Sequence, residues 1–125
     1  KNINDTLGHD SGDSLLQEAA RRIAREMGEE NTVARMGGDE FTVIISFPTS
    51  RELLAECAER LLHGISEPIS LEGASVSITA SIGISRFPED GATTQDLMKC
   101  ADVAMYKAKE RGKNRYCFWA DIREK

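Results

Sequence analysis

The chain has 125 residues, of which 40% are hydrophobic and 30% are charged, a balance typical of one compact globular domain. Its formal net charge of -5 argues against a general nucleic-acid-binding protein, because such a protein needs a broad basic surface to neutralise phosphates. No apolar run approaches the roughly 20 residues that a membrane-spanning helix requires. The three cysteines form no CxxC pair, which favours a reducing, cytoplasmic setting.

Three amphipathic helices are predicted by apolar residues that recur at helical spacing. They cover residues 15–27, 53–65 and 97–108. The residues predicted to bound them are Gly28 at the end of the first helix, Thr49 with Glu52 at the start of the second, and Thr93 or Thr94 and Gly112 at the two ends of the third. Cys57 and Cys100 fall on the apolar stripes, which indicates core packing.

Short strands are predicted between the helices. They are residues 32–36, 40–46, 69–71, 76–85 and 116–119. Gly37-Gly38-Asp39 joins the first two strands and is typical of a tight hairpin. The apolar runs Val43–Ile45 and Ile82–Ile84 favour well-buried strands. The order of helix, hairpin, helix, hairpin, helix and strand predicts an α+β or α/β sandwich, with α+β preferred, in which helices cover a mostly antiparallel sheet.

The turn between the first two strands carries two carboxylates. Gly37 and Gly38 permit a tight turn that can approach a ligand closely, and Asp39 and Glu40 follow at its tip. Adjacent carboxylates at an exposed turn suit a hard cation such as Mg²⁺, which prefers oxygen ligands and keeps substrate phosphates in its shell. Taken alone, the same residues also fit a solvated hairpin without any ligand.

The segment from Asn4 to Asp13 is rich in glycine and short polar side chains. A carboxylate can accept hydrogen bonds from N1–H and the N2 amino group of guanine, while an Asn amide can meet O6 or N3. The residues alone also allow Asp13 to cap the first helix, with the other side chains closing local turns. His9 by itself is typical of a loop or structural histidine.

Basic side chains crowd the end of the third helix and the loop after it. They are Lys107, Lys109, Arg111, Lys113 and Arg115. Their charges complement the negative end of the helix dipole, which is a sufficient structural reason for several of them. A triphosphate site needs a similar cluster, in which lysines act as point charges toward the β- and γ-phosphates.

Four blocks of the sequence together resemble the GGDEF domain family of diguanylate cyclases. They read INDTLGHDSGD, ARMGGDEF, ASIGIS and ADVAMYKAKERGKNRY, and they cover nearly the whole chain. The resemblance implies that residues 1–125 are a single GGDEF domain with the fold of palm-type nucleotide cyclases and polymerases. It also implies that the parent protein condenses two GTP molecules into cyclic di-GMP with release of pyrophosphate, in bacterial second-messenger signalling.

The same resemblance assigns roles to individual residues. Asn4 and Asp13 hold the guanine base, with His9 near the ligand. Asp39 is the catalytic carboxylate that binds Mg²⁺ or Mn²⁺, and Glu40 supports it. The residues implied near the phosphates are Lys1, as a transition-state stabiliser, and Lys109 and Lys113, on the terminal phosphates. Each domain holds one GTP, so the resemblance implies a two-fold symmetric homodimer.

The sequence departs from the family pattern at three points, and two of these departures carry expectations. A family strand ending in an Asp-x-Asp-type pair precedes the position of Lys1; without it and the helices before it, we expect this fragment to have little or no activity. Lys113 stands where arginine is common in the family. The inhibitory Arg-x-x-Asp site reads Gly28-Glu29-Glu30-Asn31 here, which predicts no product inhibition through that site.

Three functions of different classes compete. They are a diguanylate cyclase active in its full-length parent, a silent GTP-binding module that regulates an attached cyclic di-GMP phosphodiesterase domain, and a scaffold with a vestigial site. The intact Gly37–Phe41 turn favours the enzyme. We expect sensory or phosphodiesterase domains in the parent chain and no nucleic-acid partner, and the sequence leaves open whether the parent is anchored in a membrane.

Overall fold

The computed structural model describes residues 9–28, 31–37, 40–45 and 50–123. The chain forms two compact units, Lys1–Ile78 and Thr79–Lys125. The elements, in chain order, are α1 (His9–Met27), β1 (Thr32–Gly37), β2 (Glu40–Ile44), α2 (Arg51–Ser66), β3 (Ile69–Leu71), β4 (Ala74–Val76), β5 (Ser81–Ile84), α3 (Thr94–Glu110), β6 (Arg115–Phe118) and α4 (Trp119–Ile122). All three predicted helices are therefore confirmed, and helices combine with antiparallel-rich strands in the predicted α+β class.

In the unit Lys1–Ile78, α1 packs against α2 through the predicted apolar stripes. The buried residues of the two helices are Leu15, Leu16, Ala19, Ile23, Met27, Cys57, Ala58, Leu61 and Ile65. Removing these side chains from water is the main favourable contribution to the packing, at roughly 25 cal/mol for each Å² of apolar surface. The core role predicted for Cys57 is confirmed.

The charged residue Arg22 of α1 is buried against the end of α2, and only 7% of its surface is exposed. Its guanidinium donates hydrogen bonds to the carbonyl oxygens of Gly64 (3.0 Å), Ile65 (3.1 Å), Glu67 (2.6 Å) and Pro68 (3.3 Å). Its Nε also donates to Glu18 at 3.1 Å. A helix leaves its last carbonyls without internal partners, and here a cation from the neighbouring helix supplies those partners. Hydrogen bonds from Arg21 and Arg22 also hold the pKa of the Glu18 carboxyl below its usual value of 4.5.

The second predicted hairpin is shorter than its sequence pattern indicates. β3 and β4 pair as antiparallel strands from Ile69↔Val76 to Leu71↔Ala74. Glu72 (φ 52°) and Gly73 (φ 83°) connect them in a two-residue turn that needs left-handed residues. The prediction of one strand over residues 76–85 is wrong, because residues 77–80 continue the alternation of exposed and half-buried side chains but have no strand partner among the described residues.

In the unit Thr79–Lys125, α3 connects β5 to β6, which pair in parallel. A parallel pair needs such a crossover, and this accounts for the one non-antiparallel pairing in the described residues. The helix lies against β5 so closely that a Cβ on Gly83 would meet the Ala101 carbonyl oxygen and lie 2.9 Å from Met105 Cα. The small residues Ala104 and Ala108 pack with Cys117 and Ile122 in the core of this unit.

The helix starts differ from the predicted caps in two places. The side chain of Ser50, rather than Thr49, caps α2 by accepting a hydrogen bond from the Leu53 amide at 3.2 Å; Thr49 itself lies outside the described residues. Asp13 does not cap the first helix, because α1 begins four residues earlier at His9. The cap predicted at Thr93 is confirmed, since its hydroxyl accepts from the Asp96 amide at 3.0 Å.

The central strands are less buried than their apolar sequences predict. Ile44 is 56% exposed, and Val43, Ile45, Ile82 and Ile84 are half-buried. β2 pairs with β1 alone among the described residues, so one of its edges has no strand neighbour there. In the described part of the chain, no helix combines the length and apolar character needed to cross a membrane.

Candidate functional site

The hairpin of β1 and β2 positions Glu40, one of the two predicted carboxylates. The strands pair from Thr32↔Ile44 to Gly37↔Glu40. The register shifts between Arg35 and Gly37, which is the mark of a β-bulge, a feature that is frequent beside active sites because it redirects the chain. Glu40 begins β2 with an exposed side chain. The hairpin therefore presents the Glu40 carboxylate to solvent at the end of the strand pair.

Of the two carboxylates predicted at the metal site, the structure describes Glu40. Asp39 lies between Gly37 and Glu40 but outside the described residues. Within the described ranges, no group of three or more His, Cys, Asp or Glu side chains is arranged to hold a metal ion. Glu40 therefore belongs to no metal-binding cluster among the described residues.

The residues predicted to bind guanine lie at the start of the chain. Asp13 is the fifth residue of α1, and its side chain is exposed. His9 is the first residue of that helix, and its side chain is outside the described part. Asn4 and Lys1 precede the described residues altogether. Asp13 is therefore the one predicted guanine ligand whose environment is known, and it is accessible to a ligand.

The end of α3 forms a compact cap from backbone groups. The Gly112 amide donates to the Lys109 carbonyl at 3.2 Å, and the Lys113 amide donates to the Ala108 carbonyl at 3.0 Å. This pair of bonds is the Schellman arrangement that often ends a helix. Gly112 has φ 121°, as a residue in that position must reach the left-handed region. The bonds place the backbone of Lys113 beside that of Ala108, the neighbour of Lys109 in the last turn of α3.

The basic residues of this helix end differ in what they contact. Lys107 pairs with Glu110 at 3.2 Å, Arg111 donates to the Cys117 sulfur at 3.7 Å, and Arg115 donates to a backbone carbonyl. The two whose side chains form neither a hydrogen bond nor an ion pair in the described part of the chain are Lys109 and Lys113. Both are exposed. Because the backbone amides here already serve the cap, an anion at this end must be held by side chains.

The described contacts bring together two of the predicted site residues, Lys109 and Lys113. Asp13 and Glu40 lie in the other unit.

A groove of about 490 Å³ between α1 and α2 is lined by charged residues that include Glu26 and Arg60, and it contains none of the predicted site residues. The buried role of Arg22 was not predicted, although an arginine beside the apolar stripe of α1 is an available signal for it.

Comparison with known proteins identifies the family. The family profile described as "Diguanylate cyclase, GGDEF domain" matches residues 1–115. A bifunctional diguanylate cyclase/cyclic di-GMP phosphodiesterase, MucR of Pseudomonas aeruginosa, is 45% identical over 95% of this chain. The cyclic di-GMP phosphodiesterase NbdA of the same organism is 39% identical over 96% of the chain. The chain spans only 17% and 15% of the lengths of these two relatives.

The fold agrees with solved structures of the same family. The crystal structure of an EAL/GGDEF domain protein from M. capsulatus superimposes with a TM-score of 0.87 at 43% identity. The match covers 94% of this chain and 76% of that one. The GGDEF domain of TpbB from Pseudomonas aeruginosa gives a TM-score of 0.87 at 38% identity, covering 93% of this chain and 73% of that one. The chain therefore belongs to the diguanylate cyclase GGDEF domain family.

Proposed function

We propose that residues 1–125 are the larger part of a single catalytic domain that, in the full-length parent protein, condenses two GTP molecules into cyclic di-GMP and releases two pyrophosphates. The main support comes from the contacts of the basic residues at the end of α3. Of the five basic residues there, Lys109 and Lys113 are the two whose exposed side chains form neither a hydrogen bond nor an ion pair in the described part of the chain, and the cap holds Lys113 against the last turn of the helix, which carries Lys109. The two lysine ammonium groups are free to bind an anion at this end of the helix, which suits the terminal phosphates of a nucleotide.

The other residue roles belong to the same proposal. Asn4 and Asp13 bind the guanine base, with His9 beside the ligand, and Lys1 stabilises charge that develops on the phosphates. The exposed Asp13 carboxylate supports its part, because a guanine edge presents donors that a carboxylate can accept. The 3′-hydroxyl of one GTP attacks the α-phosphorus of the other, the bond to pyrophosphate breaks, and the hydroxyl proton passes to a carboxylate or to solvent.

The hairpin supplies donors of the type that a divalent cation needs. The exposed carboxylate of Glu40 and the adjacent Asp39 offer hard oxygen ligands, which fit Mg²⁺ or Mn²⁺ together with substrate phosphates. Under the proposal Asp39 holds the ion and Glu40 supports it. Such an ion, when bound, offsets negative charge on the reacting phosphate. Further ligands are expected from the nucleotide, from water and, as the family resemblance implies, from the Asp-x-Asp-type pair upstream of Lys1 in the parent protein.

Two copies of the domain must meet for the reaction, because each holds one GTP and the product contains two. The proposed active assembly is a homodimer with two-fold symmetry. Since the relatives extend far beyond the matched region, we also propose that the parent protein carries further domains, of sensory or phosphodiesterase type. These domains would control how often two GTP-loaded copies come together.

A second candidate is a GTP-binding module that regulates an attached phosphodiesterase without turning GTP over. The relative NbdA favours it, because that protein is a cyclic di-GMP phosphodiesterase and is 39% identical to this chain. Both candidates require GTP binding. They differ in whether product forms.

The test compares two aspartate variants of the protein at its full natural length. With GTP and Mg²⁺, we expect cyclic di-GMP from the wild type and a loss of about 100-fold or more in Asp39→Asn, since a ligand at the reacting phosphates is removed. Asp102→Asn is the matched control, because Asp102 is an exposed residue of α3 outside the proposed site. GTP binding without product in the wild type would support the regulatory module, and absence of both would overturn the two candidates.

A further inference from the structure

The loop between α3 and β6 has an uncommon backbone. Three successive residues adopt positive φ angles: Gly112 at 121°, Lys113 at 64° and Asn114 at 52°. Glycine reaches this region freely and asparagine is tolerated there, but lysine is disfavoured because its Cβ crowds the backbone. A lysine that holds such a conformation indicates that the surrounding structure enforces it, and non-glycine residues of this kind cluster at ligand sites.

Arg115, the first residue of β6, makes the contacts that hold this loop. Its Nε donates a hydrogen bond to the Lys113 carbonyl oxygen at 3.1 Å. Its Nη2 lies 3.0 Å from where a Cβ on Gly112 would stand, so the guanidinium covers the face of that glycine. On the other side, the Lys113 amide is bonded to the Ala108 carbonyl. Both polar groups of the Lys113 backbone are thus fixed, one by the helix and one by Arg115.

We propose that Arg115 is a positioning residue for the phosphate-binding pair Lys109 and Lys113. By holding the Lys113 carbonyl it keeps residue 113 left-handed, and this fixes the base of the Lys113 side chain relative to Lys109. The ligand class is a nucleoside triphosphate, whose β- and γ-phosphates need two cations at a set separation. The inference rests on the proposed function, and it adds a residue that touches neither the base nor the reacting phosphorus.

Two substitutions of Arg115 distinguish a positioning role from a direct contact between its charge and phosphate. The amide nitrogen of glutamine stands at the same number of bonds from Cα as the Nε of arginine. Arg115→Gln therefore removes the charge but keeps a donor for the Lys113 carbonyl, whereas Arg115→Met removes both and has similar length. If Arg115 acts by position, glutamine preserves triphosphate binding and methionine does not. If its charge binds phosphate directly, both variants lose binding equally.

The measurement is calorimetric binding of α,β-methylene GTP, whose carbon bridge cannot be cleaved, and of GMP, which lacks the terminal phosphates. In Arg115→Met we expect affinity for the triphosphate analogue to fall about three- to tenfold. This is the cost of immobilising one side chain on binding, here that of Lys113, when it is no longer held in place beforehand. Affinity for GMP is expected to stay unchanged, a selectivity that a merely structural defect would not produce. Arg115→Gln is expected to match the wild type within about twofold, by the same reasoning.

The possible outcomes separate this inference from the proposed function. A wild type that binds neither ligand would overturn the proposed function, and this inference with it. Wild-type binding that Arg115→Met leaves unchanged would overturn the inference alone. Equal losses in Arg115→Met and Arg115→Gln would also overturn it, because they would point to a direct charge contact. Parallel losses for the triphosphate analogue and GMP would show general loop damage and count against it as well.

Discussion

At the scale of the residue, Arg22 shows how a charge is kept inside this fold. Burying an unpaired guanidinium is costly because water solvates it strongly. Here the group bonds four backbone carbonyls after and within the last turn of α2 and the carboxylate of Glu18. The carbonyls need partners and the cation needs acceptors, so each satisfies the other. Arg22 therefore joins α1 to the end of α2 by polar contacts in addition to apolar packing.

We predict that Arg22→Met lowers the free energy of unfolding by about 3 kcal/mol, because several buried carbonyls lose their partner. The matched control is Arg21→Met, which removes the same charge from the adjacent, exposed position and should change stability by less than about 0.5 kcal/mol. Urea unfolding at pH 7 measures both. Equal effects of the two substitutions would show that net charge, and not the buried contacts, is responsible.

At the scale of the element, the beginnings of the helices follow from short-range chemistry. Ser50 and Thr93 each accept a hydrogen bond from the amide three residues later. An unpaired amide in the first turn is one of the groups that a helix cannot satisfy internally, so a hydroxyl at this position stabilises the start. α3 depends on its cap in particular, because its buried face is built from small residues such as Ala104 and Ala108.

For this reason Thr93→Ala is expected to destabilise the protein by about 1 kcal/mol. Thr94→Ala provides the comparison, since Thr94 is the first residue of the helix itself and is exposed, and we expect a change within about 0.5 kcal/mol. Chemical unfolding of the two variants under one condition gives the difference. A larger effect at Thr94 would mean that the cap has been assigned to the wrong threonine.

The sequence predicted the helices better than the strands. Helical stripes such as Leu15 to Met27 are long enough to be unambiguous, and local groups such as Thr93 mark their ends. The alternation through residues 77–80 suggested a continuous strand, but strands also need a partner that the pattern does not reveal. For the site, residue types indicated a basic cluster at the end of α3, and the resemblance to the family selected Lys109 and Lys113 within it. The bond from Arg115 depends on left-handed backbone angles at Lys113 and Asn114, which are unusual for lysine and could not be foreseen.

At the scale of the whole molecule, the segment between α1 and β1 occupies the position of the family's product-inhibition motif. The family's inhibitory Arg and Asp positions are occupied by Gly28 and Asn31. Gly28, at φ 81°, donates its amide to the Ala24 carbonyl at 3.0 Å. The Asn31 side chain donates to the Met27 carbonyl at 2.8 Å. Both positions therefore serve to end α1, and neither provides the charge that the motif requires.

If the protein is a cyclase, we predict that added cyclic di-GMP does not inhibit it through this segment. Initial rates of product formation should be the same with and without micromolar cyclic di-GMP, apart from competition with GTP. Binding of cyclic di-GMP by calorimetry should likewise be unaffected by Asn31→Ala. Tight binding that Asn31→Ala or Glu29→Ala abolishes would contradict this prediction.

The close approach of α3 to Gly83 has a consequence for the geometry of the proposed phosphate site. The helix rests on the strand with no side chain between them, near Ala101 and Met105. A helix behaves as a nearly rigid rod over this length, so a methyl group inserted under its middle would tilt or lift both ends. One of those ends carries Lys109 and the loop that contains Lys113. The lack of a side chain at Gly83 therefore sets the distance of Lys109 and Lys113 from β5. Substitutions at position 83 would alter nucleotide binding without contacting the nucleotide.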